Sequence, residues 1–163
     1  MNPCPCGNYG NPLKECTCSQ NEIRRYLNKI SAPILDRIDI HIEISPVKYE
    51  DLRGNAPSKS SKELKEEVTR ARMIQQARYR NENVTSNSQL STNQMKKYIK
   101  LSPEVEKTAK LAFDKYNFSV RSFNKIIKMT RTIADLEGNS EIEQKHLLEA
   151  VRYRSLDDKY WSN

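Results

Sequence analysis

Four cysteines lie within fifteen residues near the start of the chain, as two C-x-C pairs separated by nine residues: Cys4, Cys6, Cys16 and Cys18. Thiolates are good zinc ligands, and four of them complete a tetrahedral structural site that has no open position for catalysis. Each pair is tighter than the more usual C-x₂-C spacing, so the pattern suggests a metal site without defining one. We therefore predict structural zinc at these cysteines, and the alternative is four free thiols in a disordered loop.

Two arginines occupy positions from which a guanidinium could reach a phosphate. Arg37 precedes a short apolar segment, where it could contact a phosphate or simply pair with Asp36 or Asp39. Taken alone, the residues favour the ion pair. Arg121 falls in the first turn of a predicted helix, beside the free N–H groups that make helix N-termini good anion sites. Lys125 and Lys128 share its face, and a solvated basic face explains this pattern equally well.

Charge is distributed unevenly along the 163 residues. The formal net charge is +7, while residues 56–131 hold 17 Lys and Arg against 7 Asp and Glu. This basic middle favours a polyanionic partner such as nucleic acid, and solvated helix faces are the alternative. The sequence shows no apolar leader and no run long enough to span a membrane. We expect a cytoplasmic chain without a membrane partner, where disulfides are disfavoured and clustered cysteines favour a metal.

The predicted elements are mostly helical. Apolar spacing and capping residues predict helices over about 21–29, 62–81 and 92–99, one opened by Ser102, another over 119–136 and a last helix opened by a Ser140–Glu143 capping box. Ile40, Ile42 and Ile44 alternate with polar residues and predict one short strand. A lone strand cannot satisfy its own backbone groups, so we expect its sheet to lie in a preceding part of the polypeptide.

Five segments together resemble the magnesium-chelatase-like AAA+ ATPases of the ComM/YifB type, from Met1 to about Asp157. They are the string from Asn2 to Gly7, the second cysteine pair, Arg25-Tyr26-Leu27, the string from Leu35 to Asp39, and Arg131-Thr132-Ile133-Ala134-Asp135-Leu136. The resemblance implies a mainly α chain: the end of an α/β AAA+ core, with one short strand and a cysteine-rich loop, followed by an α-helical lid bundle.

The resemblance also implies roles for three residues. Asn2 would be the sensor-1 residue near the γ-phosphate, and Arg37 the arginine finger that acts in trans on a neighbouring subunit's nucleotide. Arg121 would be the sensor-2 residue of the lid, on an ATP phosphate. Members of this family form hexameric rings, and the ComM type is implied to be a DNA helicase that acts in branch migration during natural transformation.

The chain departs from the family pattern in one decisive way. It contains no G-x-x-x-x-G-K-[S/T] loop and no acidic metal-binding strand end, so it cannot hold Mg-ATP in the usual manner. We expect a C-terminal part of a longer protein, inactive as an ATPase alone, with a core end over 1–46, a linker and long helix over 47–90 and a lid over 91–157. The competing hypothesis is a free-standing zinc-loop, basic helical module that binds nucleic acid.

Overall fold

The chain forms two compact units in a computed structural model that describes residues 1–44, 46, 47, 49, 58–154 and 160. The first unit contains the described residues of Met1–Pro57 together with Tyr160, and the second is Ser58–Arg154. These residues form seven α-helices and one 3₁₀-helix and no strand, so the prediction of a mainly α chain is confirmed. None of the described helices is long and apolar enough to cross a bilayer.

The first unit is built around helix α1, Gln20–Leu27, which is followed by the short helix α2, Ala32–Leu35. Ser19 begins α1 with a capping box: its Oγ accepts the Glu22 N–H, and the Glu22 carboxylate accepts the Ser19 N–H at 2.8 Å. Ile23 and Leu27 are buried on one face of α1 and pack together with Cys4. A small apolar core therefore lies directly beneath the cysteine loop.

The predicted strand over residues 39–44 is wrong for the described structure. No strand forms there, and Ile40, Ile42 and Ile44 are largely exposed, Ile44 at 88%. The alternating pattern supplies an apolar face, but a strand also needs a neighbour to pair its backbone N–H and C=O groups. None of the described residues provides that neighbour.

The second unit is a helical bundle centred on one long helix. Its helices are α3 (Ser61–Arg78), a 3₁₀-helix (Asn87–Gln89), α4 (Thr92–Tyr98), α5 (Pro103–Tyr116), α6 (Val120–Leu136) and α7 (Gln144–Arg152). Helix α6 packs against α3, the 3₁₀-helix and α7, and α5 packs against α7. The apolar face of α6 is buried, with Ile126, Ile127, Ile133 and Ala134 in the core.

Both ends of α6 are defined by local hydrogen bonds. Ser119 Oγ accepts the Ser122 N–H at 3.1 Å at the N-terminus. At the other end Gly138 has a φ of +78°, and its N–H and that of Asn139 bond to the carbonyls of Asp135 and Ala134. This pair of bonds is a Schellman motif, in which glycine takes the left-handed conformation without steric cost.

Helix α7 begins later than its predicted capping box at Ser140–Glu143. Glu143 is the N-cap residue, and its N–H donates to His146 Nδ1 at 2.9 Å. The carbonyls of Asn139 and Ser140 instead accept hydrogen bonds from the Arg131 guanidinium, which keeps this segment in the turn after α6. Helix α7 therefore begins about one helical turn later than the sequence predicts.

Candidate functional site

The four cysteines converge as the sequence predicts. Their Sγ atoms all lie within 4.8 Å of one another, with separations of 3.4 Å for Cys4–Cys6, 3.6 Å for Cys6–Cys16 and 3.8 Å for Cys4–Cys16. A disulfide needs about 2.05 Å, and all four thiols are free. A tetrahedral zinc–thiolate site with bonds of about 2.3 Å places its sulfurs about 3.8 Å apart. The cluster could therefore hold a metal ion.

Backbone N–H groups point at these sulfurs. The Cys6 N–H donates to Cys18 Sγ at 3.4 Å, and the Tyr9 N–H donates to Cys4 Sγ at 3.3 Å. Gly7 turns the loop between them, with a φ of +81° and an N–H bond to the Cys4 carbonyl. Such N–H donors stabilise sulfur as thiolate, which is the form that binds metals.

The thiols differ strongly in acidity. Backbone N–H groups of Asn8 and Thr17 lower the pKa of Cys6 to about 5. A backbone bond from Cys6 favours the Cys18 thiolate, but burial and the neighbouring sulfurs of Cys6 and Cys4 raise the pKa of Cys18 to about 12. The first thiolate of the cluster therefore forms readily at Cys6, and repulsion between sulfurs opposes the formation of further thiolates. A divalent cation would remove that repulsion and displace the remaining protons.

Arg37 and Asn2 both lie in the first unit, on exposed positions. Arg37 follows α2, and its Nη1 donates to the Pro33 carbonyl at 2.6 Å. The Asn2 side chain lies against Gly7, where an added Cβ would come within 3.3 Å of Asn2 Nδ2. A carbonyl of α2 thus accepts a hydrogen bond from the Arg37 guanidinium, and the Asn2 amide lies beside the cysteine loop.

Arg121 belongs to the second unit, where it is exposed in the first turn of α6. Arg121 shares its basic face with Lys125 and Lys128, and Lys128 bonds to the backbone of another helix. Lys128 Nζ donates to the Ser88 carbonyl at 3.0 Å, so this lysine also ties α6 to the 3₁₀-helix. Lys128 therefore makes a structural contact in addition to its place on the basic face.

A buried polar network in the second unit has no counterpart in the sequence-based predictions. The Asp135 side chain is fully buried and pairs with both Arg78 and Arg131. The bond to Asp135 raises the pKa of Arg78, whereas burial lowers the pKa of Arg131. Arg131 and Asp135 stand four residues apart on the apolar side of α6, a spacing that could have identified them as a buried pair.

Asn87 completes this network from the 3₁₀-helix. Its Nδ2 donates to Asp135 Oδ2 at 2.8 Å and to Thr132 Oγ1 at 2.9 Å. Its Oδ1 accepts the Tyr79 hydroxyl at 2.6 Å, and its N–H donates to Gln75 Oε1. One asparagine therefore links α3, the 3₁₀-helix and α6, and nothing in its polar sequence surroundings indicates this.

Three relatives show how much of a longer protein this chain represents. Competence protein ComM of Haemophilus influenzae is 35% identical over 157 residues, and the uncharacterized protein YifB of Escherichia coli K12 is 33% identical over 159 residues. An uncharacterized protein of Mycobacterium bovis is 26% identical over 153 residues. These matches cover 94–96% of this chain but only 30% of each relative. The chain therefore spans about a third of the length of its relatives.

Family profiles match both units. Residues 1–52 match the family described as magnesium chelatase, subunit ChlI, and residues 58–154 match magnesium chelatase, subunit ChlI C-terminal. The second match alone covers more than half of the chain, and the ComM and YifB similarity agrees with the resemblance carried by the sequence motifs. The chain belongs to the magnesium chelatase ChlI family and is of the ComM/YifB type.

Proposed function

We propose that this chain is the C-terminal part of a ring-forming, magnesium-chelatase-like AAA+ ATPase. The observation that carries the proposal is the family match across both units, over residues 1–52 and 58–154. Within it we propose a core end over 1–46, a linker with the long helix over 47–90, and a lid over 91–157. In this arrangement the chain supplies phosphate-sensing residues and the lid.

Arg37 acts as the arginine finger on the nucleotide of a neighbouring subunit. Phosphoryl transfer is catalysed mainly by positioning and by stabilising charge on the phosphoryl oxygens, which an arginine supplies. The bond to the Pro33 carbonyl occupies one guanidinium nitrogen and restrains the side chain, which lowers the entropy lost on reaching a phosphate. Asn2 acts as sensor 1 beside the attacking water, and Arg121 as sensor 2 on an ATP phosphate.

Mg-ATP is bound only in the longer polypeptide. The present sequence lacks a phosphate-binding loop, so the chain by itself does not hydrolyse ATP. Because a finger acts in trans, the active form requires neighbouring subunits, and we propose a homo-oligomeric hexamer. We place this protein in the cytoplasm.

DNA is the proposed substrate of the full protein. One relative carries the name competence protein, and residues 56–131 of this chain have ten more basic than acidic residues. A basic surface of this kind gives salt-dependent attraction to phosphates. We propose an ATP-driven helicase of the branch-migration type.

Zinc is the proposed metal of the cysteine cluster. Four sulfurs at near-tetrahedral separations suit zinc, and N–H donors to sulfur are the outer contacts that such sites use. With all four positions taken by Cys4, Cys6, Cys16 and Cys18, the metal would have no open site. Its function is to brace the loop that carries Asn2.

Replacing Arg37 tests the proposal. In a polypeptide that joins this chain to a phosphate-binding loop, Arg37→Ala should reduce hydrolysis by about 10³-fold or more and leave ATP binding nearly unchanged. Arg24→Ala, at an exposed position of α1, is the matched control and should keep full activity. Loss of ATP binding with Arg37→Ala would contradict the finger role.

DNA binding by the isolated chain tests the competing function. Salt-dependent DNA binding by the 163-residue chain alone, without ATP, would favour the free-standing zinc-loop, nucleic-acid-binding module. We expect the isolated chain to bind DNA weakly and the assembled ATPase to bind it in a nucleotide-dependent way.

A further inference from the structure

Tyr160 joins the first unit although 117 residues separate it from its hydrogen-bond partner Glu43. Its hydroxyl donates to the Glu43 carboxylate. Its ring meets the edge of Tyr9, with centroids 6.3 Å apart and planes inclined by 67°. It also packs on the small core of Cys4, Ile23 and Leu27. Tyr160 thus contacts both the cysteine loop and the small apolar core beneath it.

Tyr9 connects this contact to the sulfurs. Its ring touches Tyr160, while its backbone N–H donates to Cys4 Sγ at 3.3 Å. The next residue, Gly10, has a φ of +77°, and a Cβ placed on it would lie 3.6 Å from the Tyr160 hydroxyl oxygen. The loop backbone therefore approaches the phenol closely, in a conformation that favours glycine.

We propose that Tyr160 acts as an intramolecular clasp, so that its docking on Tyr9, Gly10 and Glu43 and the retention of metal by the cysteines stabilise each other. The ring of Tyr160 holds Tyr9 in place, and the backbone N–H of Tyr9 donates to Cys4 Sγ. Outer contacts of this kind typically change metal affinity by about 10- to 100-fold. Thermodynamic linkage makes the effect reciprocal, because metal that orders the loop also favours docking of Tyr160. This inference rests on the proposed metal site.

The test measures zinc affinity of the full chain by competition with a chelator. Tyr160→Ala should weaken zinc binding by about 10- to 100-fold. Tyr160→Phe, which removes only the hydroxyl, and Glu43→Gln, which replaces the charged acceptor with a neutral one, should weaken zinc binding less. Glu15→Gln is the control for Glu43→Gln, since Glu15 is an exposed carboxylate of the cysteine loop. Circular dichroism of each variant verifies that the helices are retained.

The reciprocal effect has its own readout. Trp161, the single tryptophan of the chain, follows Tyr160 in the sequence. Chelation of zinc from the wild type should change Trp161 emission, and chelation from Tyr160→Ala should leave it unchanged. If folded Tyr160→Ala binds zinc as tightly as the wild type, the clasp is wrong and the metal site stands. If the wild type takes up no zinc, the metal site is wrong and the clasp falls with it.

Discussion

Arg78, the last residue of α3, holds the Asp135 carboxylate of α6 through two parallel hydrogen bonds of 2.9 and 2.5 Å. Paired bonds of this kind fix both the distance and the orientation of two groups. The side chain of Asp135 is fully buried, whereas that of Arg78 is 18% exposed. The pair therefore fastens the helix that begins the second unit to the helix that bears Arg121.

Replacing Asp135 should destabilise the second unit severely. Asp135→Asn keeps the shape but leaves Arg78 and Arg131 without their shared negative charge, and breaking a buried pair in this way costs about 3–5 kcal/mol. Chemical denaturation followed by circular dichroism measures this change. Asp114→Asn, an exposed aspartate of α5, should change the free energy of unfolding by no more than about 0.5 kcal/mol. Equal effects of the two substitutions would contradict the structural role of Asp135.

Zinc should be present at about one equivalent per chain in freshly purified protein. Cys4→Ser or Cys16→Ser should abolish tight binding, because each removes one of four sulfurs within 4.8 Å of one another. Thr17→Ser, between the second pair, retains the backbone and should bind zinc normally. Elemental analysis gives the stoichiometry, and cobalt substitution should give the visible spectrum of a tetrahedral thiolate site. Metal-free protein with stable thiols would rule out this site.

Acid should loosen the contact between Glu82 and α4. Hydrogen bonds from Lys97, Tyr98 and Gln94 lower the pKa of Glu82 to about 2. Because the folded pKa lies below the unfolded value of about 4.3, this carboxylate stabilises the fold above that pH and loses its effect as the pH falls toward 2.

An NMR titration of Glu82 and of the Tyr98 ring tests this prediction. The chemical shifts of both residues should change together near pH 2. Glu82→Gln should remove the change in the Tyr98 chemical shifts. Glu106→Gln, an exposed glutamate of α5, should leave it intact. A Glu82 midpoint near 4.3 would show that the three donors do not bind the carboxylate in solution.

Local sequence signals predicted the helices well, because each has a short-range cause. Ser19, Ser102 and Ser119 cap helices that the sequence predicts, and Gly138 ends α6. The predicted strand over 39–44 was wrong for the opposite reason: alternation is local, but strand pairing requires a partner elsewhere in the chain. The predicted start of α7 was wrong because the side chain of Arg131, on the preceding helix, binds the carbonyls of Asn139 and Ser140.

For the candidate site too, the sequence predicted local features and missed contacts between residues far apart in the chain. The convergence of four cysteines followed from their spacing, which is a local property of one loop. The Asn87 network and the contact of Tyr160 with Tyr9 did not, because each joins residues that are 45 or more positions apart. Polar residues in loops and at chain ends give no sign of such partners. The roles of Asn2, Arg37 and Arg121 stay predictions, supported by family membership and by their exposed positions.

Subunit mixing tests the in-trans role of Arg37 most directly. One variant of the longer polypeptide carries Arg37→Ala, and a second has its phosphate-binding lysine replaced; neither should hydrolyse ATP alone. In mixed rings the second variant supplies Arg37 to nucleotide bound by the first, so hydrolysis should return, to a maximum near equal proportions. Mixtures that stay inactive, although both variants assemble together and the first binds ATP, would contradict an arginine finger at Arg37.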